Sequence, residues 1–220
     1  MKALRLLLIY IFITTFSTEA HCQKFEYGFK TGVVISNIDM TNMVTHHVNP
    51  DKPLIWFHYF TPKTGINISL NLGYNISSKI QIGIEPGYIL KGANFSDSDS
   101  KLDLHYLNFP IAVQYKPGEK TSFYLGPEFS HLLNAKLEFD GSEIDMKSFY
   151  DEKTETSIIF GANYFFSKSF CLGLRLNYGL TKISETVWTD EIGDLIGRVN
   201  EYNYYTLLYM KFILNDLKPK

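Results

Sequence analysis

The sequence predicts an all-β protein: an eight-stranded antiparallel up-and-down transmembrane β-barrel behind a cleaved N-terminal signal peptide. Three observations predict it. Eight stretches alternate apolar and polar residues with a period of two. Their apolar sets are bulky and run for about 9–11 residues, the length a tilted strand needs to cross hydrocarbon. The connections between them alternate between short and long, as the two ends of a membrane barrel require.

The N-terminal stretch MKALRLLLIYIFITTFSTEAHCQKF reads as an export signal. Lys2 and Arg5 form a basic start, and Leu6 to Phe16 is an apolar run of 11 residues. That run is too short to span a bilayer as a helix. Cleavage after Ala20 or after Cys22 fits the small and polar stretch that follows, and Cys22 is favoured, with Gln23 as the new N-terminus. The expected division is therefore a signal peptide over 1–22 and a barrel domain over 23–220. A lipid-anchored Cys22 fits poorly, because Glu19-Ala20-His21 lacks the small or aliphatic residues that lipidation wants. The mature chain retains only Cys171, so it forms no internal disulfide and depends on its sheet.

The first stretch, FEYGFKTGVVIS (25–36), sets Phe25, Tyr27, Phe29, Val33 and Ile35 against Glu26, Gly28, Lys30, Gly32 and Ser36. The second and third, GINISLNLGYNISSKIQIGIEPGY (65–88), read as a hairpin turning at NISSK. The fourth is LHYLNFPIAVQYK (104–116), with Leu107, Phe109, Ile111, Val113 and Tyr115 on its apolar side. The fifth is TSFYLGPEFSHLL (121–133), with Glu128 on the polar side, and the sixth is TSIIFGANYFF (156–166). The seventh, SFCLGLRLNYGLT (169–181), alternates without a break: Leu172, Leu174, Leu176 and Tyr178 oppose Cys171, Gly173, Arg175 and Asn177. The eighth is YNYYTLLYMKF (202–212), with Lys211 opposite Leu208, Met210 and Phe212. The 15 Tyr and 17 Phe residues favour strands over helices throughout.

Short turns are expected after strands two, four and six, and long loops over 37–62, 92–103, 134–155 and 182–201. An even strand count puts both termini on the periplasmic side. Tyr27, Tyr74, Tyr88, Tyr115, Tyr164 and Tyr178 fall near strand ends, where amphipathic rings suit the membrane interface.

The apolar face must point outward. Eight strands enclose an interior only just wide enough for side chains to fill. About forty Leu, Ile, Phe and Tyr side chains do not fit there, whereas Gly, Asn, Ser and a few charges do. The inward charges then need partners, since an isolated buried charge is costly. Glu85 and Glu128 face Lys30, Arg175 and Lys211 across a narrow lumen, and a structural ionic network that plugs the barrel is expected from these five.

Other polar clusters carry less. DSDSKLD (97–103) spaces Asp97, Asp99 and Asp103 like part of a calcium loop, but lacks its Gly and terminal Glu. His46-His47 with Asp51 offers ligand types for a transition metal, but adjacent His residues tend to point apart, so a loop with no ligand is expected. KPGEK is a turn without the rest of a phosphate loop. His105, Asp103 and His131 lie toward the outer rim, with no third group that completes a triad. The sequence thus gives no grounds for a cofactor, a metal or a catalytic residue. Its formal net charge of −2 argues against a nucleic-acid partner. The acidic third and fourth loops read first as a hydrated surface and second as a rim for envelope partners.

The stretches FKTGVVISNI, IGIEPGYILKGANF, LHYLNFPIAVQYK, FYLGPEF and LRLNYGLT together make the chain resemble the PorT-like outer-membrane β-barrel family, related in architecture to the small OmpA and OmpX barrels. The resemblance covers about residues 25–214. It implies the barrel and the outer membrane, with lipid as the surrounding partner. The function expected is a non-enzymatic envelope protein, structural or interacting through its extracellular loops. The alternatives are an exported soluble calycin-like ligand-binding barrel and a component of a secretion-associated envelope assembly.

Overall fold

In the computed structural model, residues 25–43, 60–96, 98–150, 152–189 and 195–214 are described. Residues 1–22, expected from the sequence to be a signal peptide, and His46, His47, Asp51 and Asp97 lie outside them. The strands are β1 (Phe25–Met43), β2 (Phe60–Asn75), β3 (Ile80–Ile84), β4 (Gly87–Phe95), β5 (Lys101–Tyr115), β6 (Thr121–Phe139), β7 (Ser142–Asp145), β8 (Thr154–Ser167), β9 (Phe170–Gly179), β10 (Ser184–Thr189) and β11 (Leu195–Ile213).

They close into one antiparallel ring. β1 pairs with β2 on one side and with β11 on the other, from Gly28↔Ile213 to Met43↔Arg198. The circuit runs β1, β2, β3 with β4, β5, β6, β8, β9, β11 and back to β1. β3 and β4 are one stave interrupted at Glu85-Pro86, while β7 and β10 are additions to β6 and β11. The wall therefore has eight staves; the break at Glu85-Pro86 makes nine segments of them, and β7 and β10 bring the strands among the described residues to eleven.

The alternation sorts side chains as the sequence requires. Along β9 the inward Cys171, Gly173, Arg175, Asn177 and Gly179 are buried and the outward Leu172, Leu174, Leu176 and Tyr178 are exposed. β2 repeats the pattern with Asn67, Ser69 and Asn71 inside and Ile66, Ile68, Leu70 and Leu72 outside. At the short-turn end, outward rings form a ladder across neighbouring strands. Tyr164, Phe166, Phe170, Phe212 and Phe29 follow one another with centroids 4.8–5.8 Å apart. Such a girdle fits a membrane interface.

Three sequence expectations need correction. The strands run further than the alternating stretches: β1 continues to Met43, β6 to Phe139 and β11 begins at Leu195. The expected loops over 134–155 and 182–201 contain β7 and β10, and 92–103 holds the end of β4 and the start of β5. The interior is also not limited to small and charged residues. Val34, Ile89, Leu104, Tyr106, Tyr124, Leu132, Ile159, Tyr205, Leu207 and Tyr209 are all buried in one cluster. Toward the long-loop end the strands outrun the outward apolar belt. There the inner face gathers Ile38, Ala93, Leu102 and Ala135 with Tyr150 and Ile183, like the core of a soluble sheet. Burial, with the nearby Glu201 carboxylate, pushes the Tyr150 hydroxyl pKa up, so this ring stays neutral.

Inward glycines make room for inward tyrosines. Gly173 stands opposite Tyr209, and Gly161 opposite Tyr124. A Cβ at either glycine would run into the facing ring. Gly173→Ala is therefore expected to destabilise the inserted barrel by about 1–3 kcal/mol, as overpacking does. Gly118→Ala, in a turn where a Cβ meets nothing within 4 Å, is the reference and should leave stability unchanged. Urea titration of both variants in lipid vesicles measures the difference.

Candidate functional site

The break at Glu85-Pro86 positions the central side chain of the interior. Pro86 has no N–H to give to the ladder. Instead its carbonyl accepts the Leu70 N–H at 2.9 Å, and Glu85 N–H donates to the Pro110 carbonyl at 3.0 Å. Backbone groups on both sides of the break stay satisfied, and the Glu85 carboxylate projects inward from β3/β4. It pairs there with Lys30 of β1 and with Arg175 of β9.

From Arg175 the contacts continue toward the long-loop end. Arg175 Nε donates to Tyr124 Oη at 3.2 Å, and its guanidinium lies 5.2 Å from the Tyr124 ring centroid. Its Nη1 lies 3.8 Å from Glu128 Oε2. Glu128 accepts hydrogen bonds from Tyr205 Oη at 2.7 Å and Asn177 Nδ2 at 3.2 Å. Lys91 Nζ lies 3.5 Å from Glu128 and 3.1 Å from Glu155, above the rings of Tyr106 and Tyr205. Glu155 in turn accepts from Asn203 Nδ2 at 2.8 Å. Bulky rings thus carry the cations as well as filling space, since a ring face attracts a positive charge.

A second group lies at the short-turn end. Glu26 meets Lys211 at 2.8 Å and Lys116 at 3.6 Å, and accepts from Asn71 and Gln81. Lys30 and Lys211 stand directly opposite each other on β1 and β11. Each avoids the other's charge by having its own acid, Glu85 and Glu26 respectively. Tyr209, whose ring lies 4.6 Å under Lys30, donates to Asn163 Oδ1 at 2.5 Å.

Of the five residues expected to share the lumen, Lys30, Glu85, Arg175 and Glu128 stand on one chain of contacts. Lys211 sits with Glu26 instead. Five further inner charges among the described residues were not assigned from sequence: Glu26, Lys63, Lys91, Glu155 and Glu201. Glu26 was already on the polar side of the first stretch. Lys91 has the same parity as Glu85 and Ile89, and Glu155 the same as Ser157 and Ile159. Extending the period of two by a few residues finds both.

The rim residues do not converge. His105 Nδ1 contacts Tyr88 Oη at 2.6 Å, Asp103 pairs with Lys63, and His131 contacts Thr154 at 3.4 Å. Asp99 is exposed and Asp103 is engaged by Lys63, so these two residues of DSDSKLD do not face a common point. Among the described residues no cluster of His, Cys, Asp and Glu is arranged to hold a metal.

Removing one partner from the central chain leaves buried charge without compensation, which costs far more than losing an exposed pair. Glu85→Gln, which strands Lys30 and leaves Arg175 with only the 3.8 Å approach to Glu128 as an ion pair, is expected to lower stability by about 3–5 kcal/mol. Lys101→Ala, which loses the exposed 3.7 Å pair to Glu138, should cost about 0–1 kcal/mol. Chemical denaturation monitored by Tyr and Trp fluorescence separates the two.

Comparison with known proteins adds to this geometry. Residues 16–185 match the outer membrane protein beta-barrel domain family. Among solved structures, Neisserial surface protein A is 12% identical with a TM-score of 0.49, covering 86% of this chain and 99% of that one. OprG from Pseudomonas aeruginosa is 10% identical with a TM-score of 0.44, covering 87% and 96%. Ail from Yersinia pestis is 13% identical with a TM-score of 0.41, covering 85% and 99%. No curated protein matches the chain. The family match spans well over half the sequence and agrees with the closed ring and its outward apolar belt: this chain belongs to the outer membrane protein beta-barrel domain family and is a β-barrel of the bacterial outer membrane.

Proposed function

We propose that the protein is a non-enzymatic envelope component whose lumen is plugged and whose extracellular loops carry its interactions. The observation behind this reading is the charge balance inside. Among the described residues, five inner cations, Lys30, Lys63, Lys91, Arg175 and Lys211, face five inner carboxylates, Glu26, Glu85, Glu128, Glu155 and Glu201, all of them buried or nearly so. A neutral set needs no mobile counter-ion, and the rings of Tyr106, Tyr124, Tyr205 and Tyr209 occupy the space between. His105, Asp103 and His131 each have a separate partner, which supports a role without catalysis. The PorT-like stretches favour membership of an envelope assembly, with outer-membrane lipid around the belt and protein partners at the long loops. The outward apolar belt sets aside a soluble ligand-binding barrel, because that face in water would be one continuous apolar patch.

Planar-bilayer recording of the purified protein tests the plugged lumen. The expected trace has no stable channel steps. A persistent, wide, water-filled conductance overturns the reading. On export, residues 1–22 are removed, and mass spectrometry of outer-membrane preparations should find the mature chain beginning at Gln23.

A further inference from the structure

The lipid-facing belt accounts for nearly every large apolar side chain the barrel exposes. Beyond it at the long-loop end stand Phe139, Ile144 and Phe149, which are 54%, 45% and 67% exposed. All three belong to one hairpin and the turn that follows it. β6 and β7 join through Asp140-Gly141, with φ of 48° and 72°. Positive φ at both central residues makes a type I′ turn, whose twist suits a two-residue hairpin.

The hairpin has two unlike faces. Its pairs are Lys136↔Asp145, Leu137↔Ile144, Glu138↔Glu143 and Phe139↔Ser142. Opposed residues share a face, so Leu137, Phe139 and Ile144 lie on one side and Lys136, Glu138, Glu143 and Asp145 on the other. Leu137 also pairs with the core residue Leu102, so the apolar side continues the barrel's inner surface. On the charged side Lys101 lies 3.7 Å from Glu138 and Lys136 2.6 Å from Glu143, so three acids stand against two lysines and Asp145 carries the excess negative charge. β7 pairs with β6 along one edge, and among the described residues no strand pairs with its other edge. An open edge with an exposed apolar face is where a further strand adds.

The chemistry of the edge selects the added strand. A second copy is disfavoured: antiparallel pairing of two β7 strands with matched faces centres on Ile144 and sets Glu143 against Asp145 twice. Like charges directly opposite destabilise a ladder. A strand that brings cations to Asp145 and to Glu143, which Lys136 already meets from the other side, and apolar side chains to Ile144 satisfies both faces. We propose that the free edge of β7 is a docking strand for an extended segment of a partner protein in which basic and apolar residues alternate. This rests on the reading that the extracellular loops carry the interactions, and it names the chemistry of the partner.

The test uses the full-length protein in zwitterionic phosphatidylcholine nanodiscs. The probe is a fluorescent peptide of about eight alternating Lys and Val residues, a common strand length. A second peptide of the same sequence is N-methylated at alternate residues, which removes its backbone donors. Fluorescence anisotropy should show the unmodified peptide binding at least about tenfold more tightly, a difference of about 1.4 kcal/mol. The double variant Glu143→Lys/Asp145→Lys should lose that peptide and gain one that alternates Glu and Val, while keeping the heat-modifiable gel mobility of the folded barrel. Equal binding of both Lys–Val peptides, indifference to the charge reversal, or no binding overturns the docking strand. Bilayer recording judges the plugged lumen separately, so either claim can fail alone.

Discussion

Hydrocarbon offers no hydrogen-bond partner to a peptide group, and every other feature of this protein follows from that. Each N–H and C=O within the bilayer must pair inside the chain, so the sheet has no free edge at that level. β1 therefore meets β11 along almost its whole length. The constraint also explains where the wall tolerates proline. Pro86 sits at the break in a stave, and its carbonyl takes the Leu70 N–H; the Pro110 carbonyl takes that of Glu85. The chain can omit donors only where it supplies the matching acceptors elsewhere.

Closure then decides what goes inside. A ring of eight staves has room for one layer of side chains from each wall, and those from opposite walls must interdigitate. Tyr209 lies over Gly173 and Tyr124 over Gly161. The rings in turn sit under Lys30 and beside Arg175. Glycine, aromatic ring and cation thus form one unit of packing, repeated at two levels, and the carboxylates join these units across the lumen. Beyond the bilayer the requirement for closure lapses. There β7 and β10 leave the ring as separate additions and the interior turns apolar.

The sequence shows this plan wherever the period of two is uninterrupted. β9 alternates without fault, and its inward and outward sets are legible from Cys171 to Gly179. Legibility stops at register shifts. In β6 the pairing steps from Tyr106↔Leu132 to His105↔Asn134, so Leu133 is an extra residue and Ala135 faces inward against its apparent parity. The sequence pattern breaks at that same residue, so the alternating stretch ends six residues before the strand does. β2 also shifts register against β4 between Pro62 and Asn67, yet its burial alternates from Lys63 on; the outward Pro62 and Thr64 beside Lys63 lack the apolar contrast that marks the rest of the strand. The β6–β7 hairpin had a local signal, Asp140-Gly141 between apolar residues, that a reading based on long alternating stretches passes over. The inner charges were only partly legible for the same reason: Lys63, Lys91, Glu155 and Glu201 stand just beyond the ends of the alternating stretches. Nothing local to Lys211 indicates that it chooses Glu26 over Glu85, because that depends on how opposite walls meet.

The ion pairs need a reason beyond stability. Replacing a buried ionic group by well-packed apolar residues is often neutral or stabilising once desolvation is counted. An apolar interior, however, would make both faces of every stave hydrophobic. β9 would then read as ten consecutive apolar residues and β2 as sixteen, close to the length that crosses a membrane as a helix. A chain bound for the outer membrane must first pass the inner one without being retained. Alternating each lipid-facing residue with a polar one keeps every stretch below that limit. The interior must therefore be polar for the sake of passage, and once polar it must be paired, because a buried charge without a partner opposes folding. The balanced set of carboxylates and cations satisfies both demands: it keeps the unfolded strands hydrophilic enough to travel and lets the folded barrel close.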